Sequence, residues 1–463
     1  MGLTGDLNVA LSSLMANTQA MDVTSTNIAN QNTPGYARRV VVLEEAAPSG
    51  LNNATSGVEI AGVQSIRDTV VDMAINSNTS QEYASNTLSS SLSAVQTLFS
   101  DTTSGSVASS IDSFFSALQS LSASPTDSSL RTSALTAAQN VASAFQTTAS
   151  EISQSQTQAD RSVVQDTSTA NSLLQEIAAT NAKISQSTAM GQTDNADEDQ
   201  LSSMLTKLSQ VMNYQTVNSS DGLTLTTTDG VPLVVGSKAY ALTNSLNSAG
   251  YNQVIAGGVD ITSSIDGGSL GGYLSARDQT LASMASTLNQ FADQFATAVN
   301  NVQTAGSDVN GTAGTNFFSV TTTSSTDLTG AASSIKVALT SGSQIAAAAS
   351  GGASGDNSNL TNMIALQSSN IINGVTPDTA AANMTFALGN TISQANSSAT
   401  ASSNIITQLT NQQGSVEGVS LDEETSNLLL YQRSYQSAAK VISVIDNLMT
   451  DLLNMGATSG GFQ

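Results

Sequence analysis

The 463-residue sequence contains no cysteine, no histidine and no tryptophan. Without Cys there are no disulfides and no thiolate chemistry; without His there is no imidazole base and no His metal ligand. An exported chain of this length is then held by packing alone. Aromatics make up 4% of residues against an apolar share of 39%, which predicts cores of Ala, Leu, Val and Ile in slim helical layers. Basic residues are scarce too: 12 Lys and Arg stand against 35 Asp and Glu, a formal charge of −23. Arg38-Arg39 is the only basic cluster, so nucleic acid is not an expected partner. No apolar run approaches about 18 residues, so no membrane insertion is expected. The N-terminus lacks the basic, apolar and small-residue segments of a signal peptide, which predicts either a cytosolic protein or export without a cleaved signal.

What the chain does have is apolar patterning at both ends. Leu428, Tyr431, Tyr435, Ala438, Ile442, Ile445, Met449 and Leu452 alternate steps of three and four, the seam of a coiled coil with a period of about 3.5. Leu7, Leu14, Met21 and Ile28 recur every seven residues, with Leu11 between. A helix with one narrow apolar seam needs partner helices in water. Such helices pair with each other, join copies in an assembly, or close an ordinary bundle.

The turn residues Asn30 to Gly35 stop the first helix. Arg39 to Glu44 and Val58 to Ile66 read as extended segments around a loop at Ser49 to Gly57. Helical stripes follow: Leu88, Leu92, Val95 and Phe99, then Ile111, Phe114, Phe115, Leu118 and Leu121, then a long run from about Leu130 to Lys183. The stretch Gly191 to Asp199 breaks it before Leu201 to Val211 resumes it. Leu223 to Val235, with Asp229-Gly230 at its centre, predicts a hairpin with a tight primed turn. Strand-like composition runs to about Ile265. Helix returns over Leu281 to Val302, a second β-like or irregular region spans Ala305 to Asp356, and helical pattern continues from Leu360. The layout is nested, with the first and last helices outermost.

Few residues suggest chemistry. The acids Asp194, Asp197, Glu198 and Asp199 fail the EF-hand pattern because Ala196 falls at the third ligand position, and they read as a solvated loop. Gly267-Gly268-Ser269-Leu270-Gly271-Gly272 lacks the G-K-[ST] ending of a phosphate loop and reads as a helix entry. No Ser sits in a nucleophile elbow, and no pair of carboxylates is set in an apolar frame that would split their pKa values. No enzyme activity, metal or cofactor is expected.

The residues after the first stripe are Asn27, Ile28, Ala29, Asn30, Gln31, Asn32, Thr33, Pro34, Gly35, Tyr36, Ala37 and Arg38. They resemble the N-I-A-N-x-x-T-x-G-Y signature of bacterial flagellar axial proteins, the rod, hook and hook-associated proteins. Physically, Asn27 to Asn32 can end the helix, Gly35 permits the turn, and Tyr36 offers an amphipathic anchor beside Arg38. Further segments are similar to the hook-associated protein 1 family of the hook–filament junction. These are Phe114-Phe115 through Pro125 to Arg131, Gly267 to Gly271 through Arg277-Asp278, and Asp308-Val309-Asn310-Gly311 through Phe317-Phe318. Near the C-terminus Val419, Leu421, Asp422, Glu423, Glu424, Leu428, Gln432 and Tyr435 match V-x-L-D-E-E…L…Q…Y. The chain departs from the family at Ala37, where Ser or Thr is common, and at Arg39, where Gln is common.

The resemblance implies a mainly α protein with β-rich insertions (α+β), elongated and multi-domain, whose N- and C-terminal helices pair as a coiled-coil-like terminal domain. The expected division is 1–30 with 425–455 as the polymerisation domain. Residues 31–212, 266–304 and 357–424 would form a helix-rich middle, and 213–265 with 305–356 a β-rich outer region. It implies a junction adaptor, secreted through the flagellar type III apparatus to the bacterial flagellum. The implied partners are hook protein, the second junction protein, further copies in a ring, and a cytosolic export chaperone at the C-terminal helix. The residues expected to carry assembly are Asn27, Ile28, Ala29, Asn30, Thr33, Gly35, Tyr36 and Arg38, and Leu421, Asp422, Glu423, Glu424, Leu428, Tyr431, Tyr435, Ile442, Ile445, Met449 and Leu452. The alternatives are a hook or rod protein, or a Ser/Thr-rich adhesin. The adhesin would need a fixed short repeat, and none is found.

Overall fold

The computed structural model describes residues 3–33, 35–46, 57–96, 105–219, 222–324 and 326–458. Pro34, Phe99 and residues 49–56 of the expected loop lie outside the described residues. Helix α1 spans Leu3–Asn30, and α2 to α5 span Thr69–Gln96, Val107–Ala123, Ser128–Ala189 and Asn195–Val211. Helices α6 and α7 span Gly268–Ser275 and Leu281–Ala305, and the short α8 and α9 span Ala331–Ser334 and Ser358–Ala365. Helices α10 (Pro377–Glu417) and α11 (Leu421–Thr458) complete the chain. No helix among the described residues is long and apolar enough to cross a membrane. The fold is α+β, predominantly helical, with small antiparallel sheets.

The chain gathers into two compact units. One holds Met1–Thr79, Ala170–Ala241 and Ser402–Gln463; the other holds Ser80–Thr169 and Leu242–Ala401. In the first, α1 pairs with α11 along much of its length, and the hairpin β1 (Arg39–Glu45) and β2 (Val58–Ser65) also packs on α1. The Ser12 hydroxyl fixes the loop end of the hairpin by accepting a hydrogen bond from the Val58 amide at 3.3 Å. The same unit contains the sheet of β3 (Gln215–Ser219), β4 (Gly222–Thr226), β5 (Pro232–Val235) and β6 (Lys238–Ala239). Asn181 of α4 donates to the carbonyls of Leu223 and Gly236 at 2.9 and 3.1 Å, anchoring that sheet.

The β4–β5 hairpin forms at Asp229-Gly230, but not through the primed two-residue turn. Thr227 and Val231 close it, and Gly230 alone takes a positive φ of 80°. A primed turn of the Asn-Gly type needs φ above zero at both central residues, and Asp229 does not adopt it. The Thr227 hydroxyl instead accepts from the Val231 amide at 3.1 Å, and the register shifts by a bulge between Leu225 and Thr226.

The second unit departs from the expectation of an aliphatic core. Phe114 and Phe115 of α3, Phe145 of α4, Phe291 and Phe295 of α7, and Phe317-Phe318 are all enclosed. Their rings meet at centroid distances of 5.1 to 6.4 Å, mostly edge-on or tilted, arrangements that add to burial. Seven of the eight described phenylalanines are thus concentrated in one cluster. Gly272 of α6 permits a close approach to α2, since a Cβ there would lie 2.5 Å from the Ala84 carbonyl oxygen. The Arg277 side chain, fully buried in the π-helical turn after α6, pairs with Asp160 and with both carboxylate oxygens of Asp278.

The acidic stretch read as a solvated loop is a helix start. Asp194 caps α5 by accepting from the Asp197 amide at 3.2 Å. Glu198 accepts from the Ser65 hydroxyl at 3.1 Å, and Asp199 pairs with two arginines. Acids in a first helical turn are favoured by the exposed amides and the helix dipole, and here the arginines of the hairpin region complete the compensation.

Candidate assembly site at the joined termini

Asn27, near the end of α1, is 1% exposed and uses its whole amide. Its Oδ1 accepts from the Tyr36 hydroxyl at 2.8 Å and from the Arg39 amide at 3.0 Å. Its Nδ2 donates to the Arg39 carbonyl at 2.9 Å and to Glu424 Oε2 of α11 at 3.2 Å. No other side-chain type of this size supplies two donors and two acceptor sites at once. The turn that returns Tyr36 to Asn27 is closed by the Thr33 amide on the Asn30 carbonyl at 2.9 Å and the Tyr36 amide on the Thr33 carbonyl at 3.2 Å. Gly35 sits in that turn at φ 81°, a left-handed position suited to glycine.

Arg38 completes a clasp between the termini. Its Nε donates to Glu424 Oε1 and its Nη2 to Glu423 Oε1, both at 2.7 Å. Burial works against the Arg38 charge, and the hydrogen bonds to Glu424 and Glu423 more than offset it, raising its pKa above the ordinary arginine value. The backbone joins in: the Arg38 amide donates to the Glu417 carbonyl at 3.0 Å and the Ile66 amide to the Arg38 carbonyl at 2.8 Å. Burial raises the Tyr36 pKa, against the lowering effect of Arg39, so its hydroxyl stays protonated and able to donate. The Arg39 guanidinium lies 4.9 Å from the Tyr36 ring centroid and pairs with Asp199 at 2.8 Å. Arg67 pairs with the other oxygen of Asp199 at 2.7 Å and donates to the Gly35 carbonyl at 3.0 Å.

The expected residues divide by role. Asn27, Tyr36, Arg38, Glu423 and Glu424 meet at the clasp, and Asn30, Thr33 and Gly35 shape its turn. Ile28 is half-buried and Ala29 exposed. Among the apolar residues of α11, Ala438 and Ile445 lie deepest, Leu428, Tyr431, Tyr435, Ile442 and Met449 are half-buried, and Leu421 and Leu452 are exposed, as is Asp422. The N-terminal stripe differs from its expectation. Leu7, Leu14, Met21 and Ile28 are only half-buried and Leu11 is exposed, while Ala10, Ala16, Ala20, Val23, Thr24 and Asn27 are buried. α1 is covered by both α11 and the β1–β2 hairpin, and small side chains let its backbone come close to both.

A second row on α11, sharing only Leu452 with the expected seam, is also present. Val441, Val444, Leu448, Leu452 and Met455 follow steps of three and four and are all exposed. Glu417 was also missed. It is 5% exposed, its carboxylate accepts from the Asp68 amide at 2.6 Å, and burial raises its pKa above the usual carboxylate range. The one signal for it was an acid directly before Gly418 at the break between the last two helices.

The paired terminal helices and the segments between them can be compared with known proteins. The family profile "Flagella basal body rod protein" matches residues 7–36. The profile "Flagellar basal body rod FlgEFG protein C-terminal" matches residues 412–455. Between them, "Flagellar hook-associated protein FlgK helical domain" matches residues 92–318. Flagellar hook-associated protein 1 of Salmonella typhimurium is 27% identical over 553 residues, covering 97% of this chain and 99% of the relative. The protein of that name from Bacillus subtilis is 28% identical, covering 98% of each. The solved structure of the flagellar hook junction protein FlgK from Burkholderia pseudomallei shares the fold. Its TM-score is 0.67 at 19% identity, covering 74% of this chain and 100% of that one. Along nearly its whole length the chain is similar to flagellar hook-associated protein 1, with the helical-domain match at its centre and rod-type matches at both ends. An alignment of 553 positions against 463 residues here means that the Salmonella relative carries segments without a counterpart in this chain.

Proposed function

We propose that the chain is a structural adaptor of the bacterial flagellum that joins hook to filament by polymerising with the neighbouring axial proteins. The observation that carries this reading is the clasp of Asn27, Arg38 and Glu424. It ties the two rod-type terminal segments into one helical pair. Residues 1–30 with 425–455 serve as the polymerisation domain. Copies form a ring between hook protein and the second junction protein. The exposed row Val441, Val444, Leu448, Leu452 and Met455 beside the occupied seam supports lateral packing, because an apolar row left in water on a paired helix gains burial only from another molecule. The chain acts by binding and not by catalysis. It is exported unfolded by the type III apparatus, with a cytosolic chaperone on α11 beforehand.

A rod or hook protein would carry the same terminal segments, and the hook-associated profile over residues 92–318 weighs against it. Deletion of the gene tests the reading. Cells should carry hooks without filaments and release flagellin into the medium; normal filaments on deletion cells with no paralogue would sink it.

A further inference from the structure

The chain has 12 methionines and neither cysteine nor tryptophan, so its thioethers are the groups that take oxygen from a peroxide. Such attack needs a sulfur that the oxidant can reach, and the fold sorts the methionines sharply. Met204, Met212, Met284, Met363 and Met384 are buried, and Met21 and Met449 half-buried. Met15, Met73, Met190 and Met455 are exposed.

These four are not equivalent. The Met73 sulfur accepts from the Thr216 hydroxyl at 3.0 Å, which engages lone-pair density that an oxidant would use. Met190, 60% exposed, stands in the turn after α4 between Thr188 and the polar Gln192. Met15 adjoins Leu11 on α1, but Thr18 and Asp22 continue the same exposed side, so that face is mixed. Met455, 70% exposed, extends the row of Val441, Val444, Leu448 and Leu452 on α11. Of the four exposed thioethers it alone stands in a wholly apolar row.

We propose that Met455 is an oxidation site that controls assembly through this row. A peroxide passes one oxygen atom to the thioether. The sulfur lone pair forms the S–O bond, the O–O bond breaks, and the proton of the transferred oxygen goes to the departing hydroxide, giving water. Sulfur is oxidised by two electrons and the peroxide is reduced by two. The sulfoxide oxygen requires a hydrogen-bond donor once it leaves water, and the side chains of Leu448 and Leu452 carry none. The row that packs with a thioether therefore resists packing with a sulfoxide. The unassembled chain, in which residue 455 stays in water, is indifferent to the change. Oxidation acts before incorporation, because a packed row shields the sulfur, and sulfoxide reductases reverse it. The inference rests on the proposed lateral packing of the α11 row and names a modification that regulates it.

The test uses the purified full-length chain and hydrogen peroxide, at a dose that leaves Met204, Met212 and Met363 intact by peptide mass spectrometry. Met455 and Met190 should gain oxygen first, with Met73 behind them. The treated chain should melt like the untreated one. Its incorporation into hooks isolated from deletion cells should fall about tenfold, the effect of one unpaired polar group in a packed contact. Met455→Leu keeps the apolar volume and should incorporate equally well with or without treatment. Met190→Leu and Met15→Leu should remain as sensitive as the parent, and enzymatic reduction of the sulfoxide should restore the parent. Three results overturn the inference and leave the proposed function standing. They are oxidation of Met455 no faster than that of Met204, normal incorporation of a chain oxidised at Met455, and a Met455→Leu chain that loses incorporation on treatment as the parent does. An untreated chain that does not join hooks overturns the proposed function, and this inference with it.

Discussion

Asn27 and Glu424 lie 397 residues apart in sequence and share a hydrogen bond of 3.2 Å in the interior of the clasp. The same carboxylate takes the Arg38 guanidinium at 2.7 Å. A single acidic side chain on α11, 2% exposed, thereby reads both an amide on α1 and a charge just after it. The predictions that follow start from this arrangement.

Asn27→Asp should loosen the termini. It removes the two Nδ2 donors and sets a second carboxylate against Glu424. Losing buried hydrogen bonds and adding a like charge should together cost about 2–4 kcal/mol. Hydrogen exchange should show faster exchange in α1 and in the first turns of α11, with residues 105–219 unchanged. Protection in the variant equal to the parent would mean that Asn27 does not hold the pair.

Glu417→Gln should stabilise the protein at neutral pH. Burial raises the folded-state pKa of Glu417, so the favourable contribution of this carboxyl is full at pH below its unfolded pKa and is lost as pH rises through the folded value. Glutamine keeps an oxygen for the Asp68 amide without the charge. The variant should melt higher than the parent at about pH 7, and the difference should vanish below about pH 4, where both side chains are neutral. A difference that persists at low pH would point to a cause other than ionisation.

The two faces of α11 should separate folding from assembly. Ile445→Asp buries an unpaired charge against α1 and should cost several kcal/mol in the paired termini. Val444→Asp lies on the exposed row and should leave monomer stability within about 0.5 kcal/mol while preventing incorporation into hooks. Ser443→Asp, off both rows, should be tolerated in both respects. Normal motility with Val444→Asp would rule the exposed row out as an assembly surface.

Arg277→Lys should be costly despite keeping the charge. The Arg277 side chain is fully buried and donates through three nitrogens to Asp160, to Asp278 and, at 2.9 Å, to the Asn252 carbonyl. Lysine cannot reproduce the planar fork, and the stranded carboxylates should cost about 3–5 kcal/mol. Thermal unfolding of the purified variant measures this, and a shift of less than a degree would show that the fork is dispensable.

Much of the helical layout was legible because periodicity survives in sequence: α3, α4, α7 and α11 each carry a three-four apolar spacing over several turns. The two terminal motifs were legible as well, but each only by itself. Nothing local to Asn27 says that its partner is Glu424, since that meeting depends on how all the intervening helices return the chain. The N-terminal stripe misled because large apolar residues stand out to the eye, whereas the buried face of α1 is made of Ala10, Ala16 and Ala20, whose value lies in close approach. Composition gave the number of phenylalanines and could not say that seven positions from Phe114 to Phe318 converge on one cluster. Asp229-Gly230 marked the right turn and the wrong geometry, since Gly alone took the positive φ.

The nested layout of α1 and α11 also acts as a test of completeness. Contacts between distant parts of a chain form late, after the intervening segments are ordered, and the pairs that join the two ends, Asn27 with Glu424 and Arg38 with Glu423 and Glu424, need both ends present. A copy cut short at either end keeps its enclosed phenylalanine cluster yet presents an open, unpaired terminal helix. The paired-helix surface is therefore made only when both ends of the chain are present.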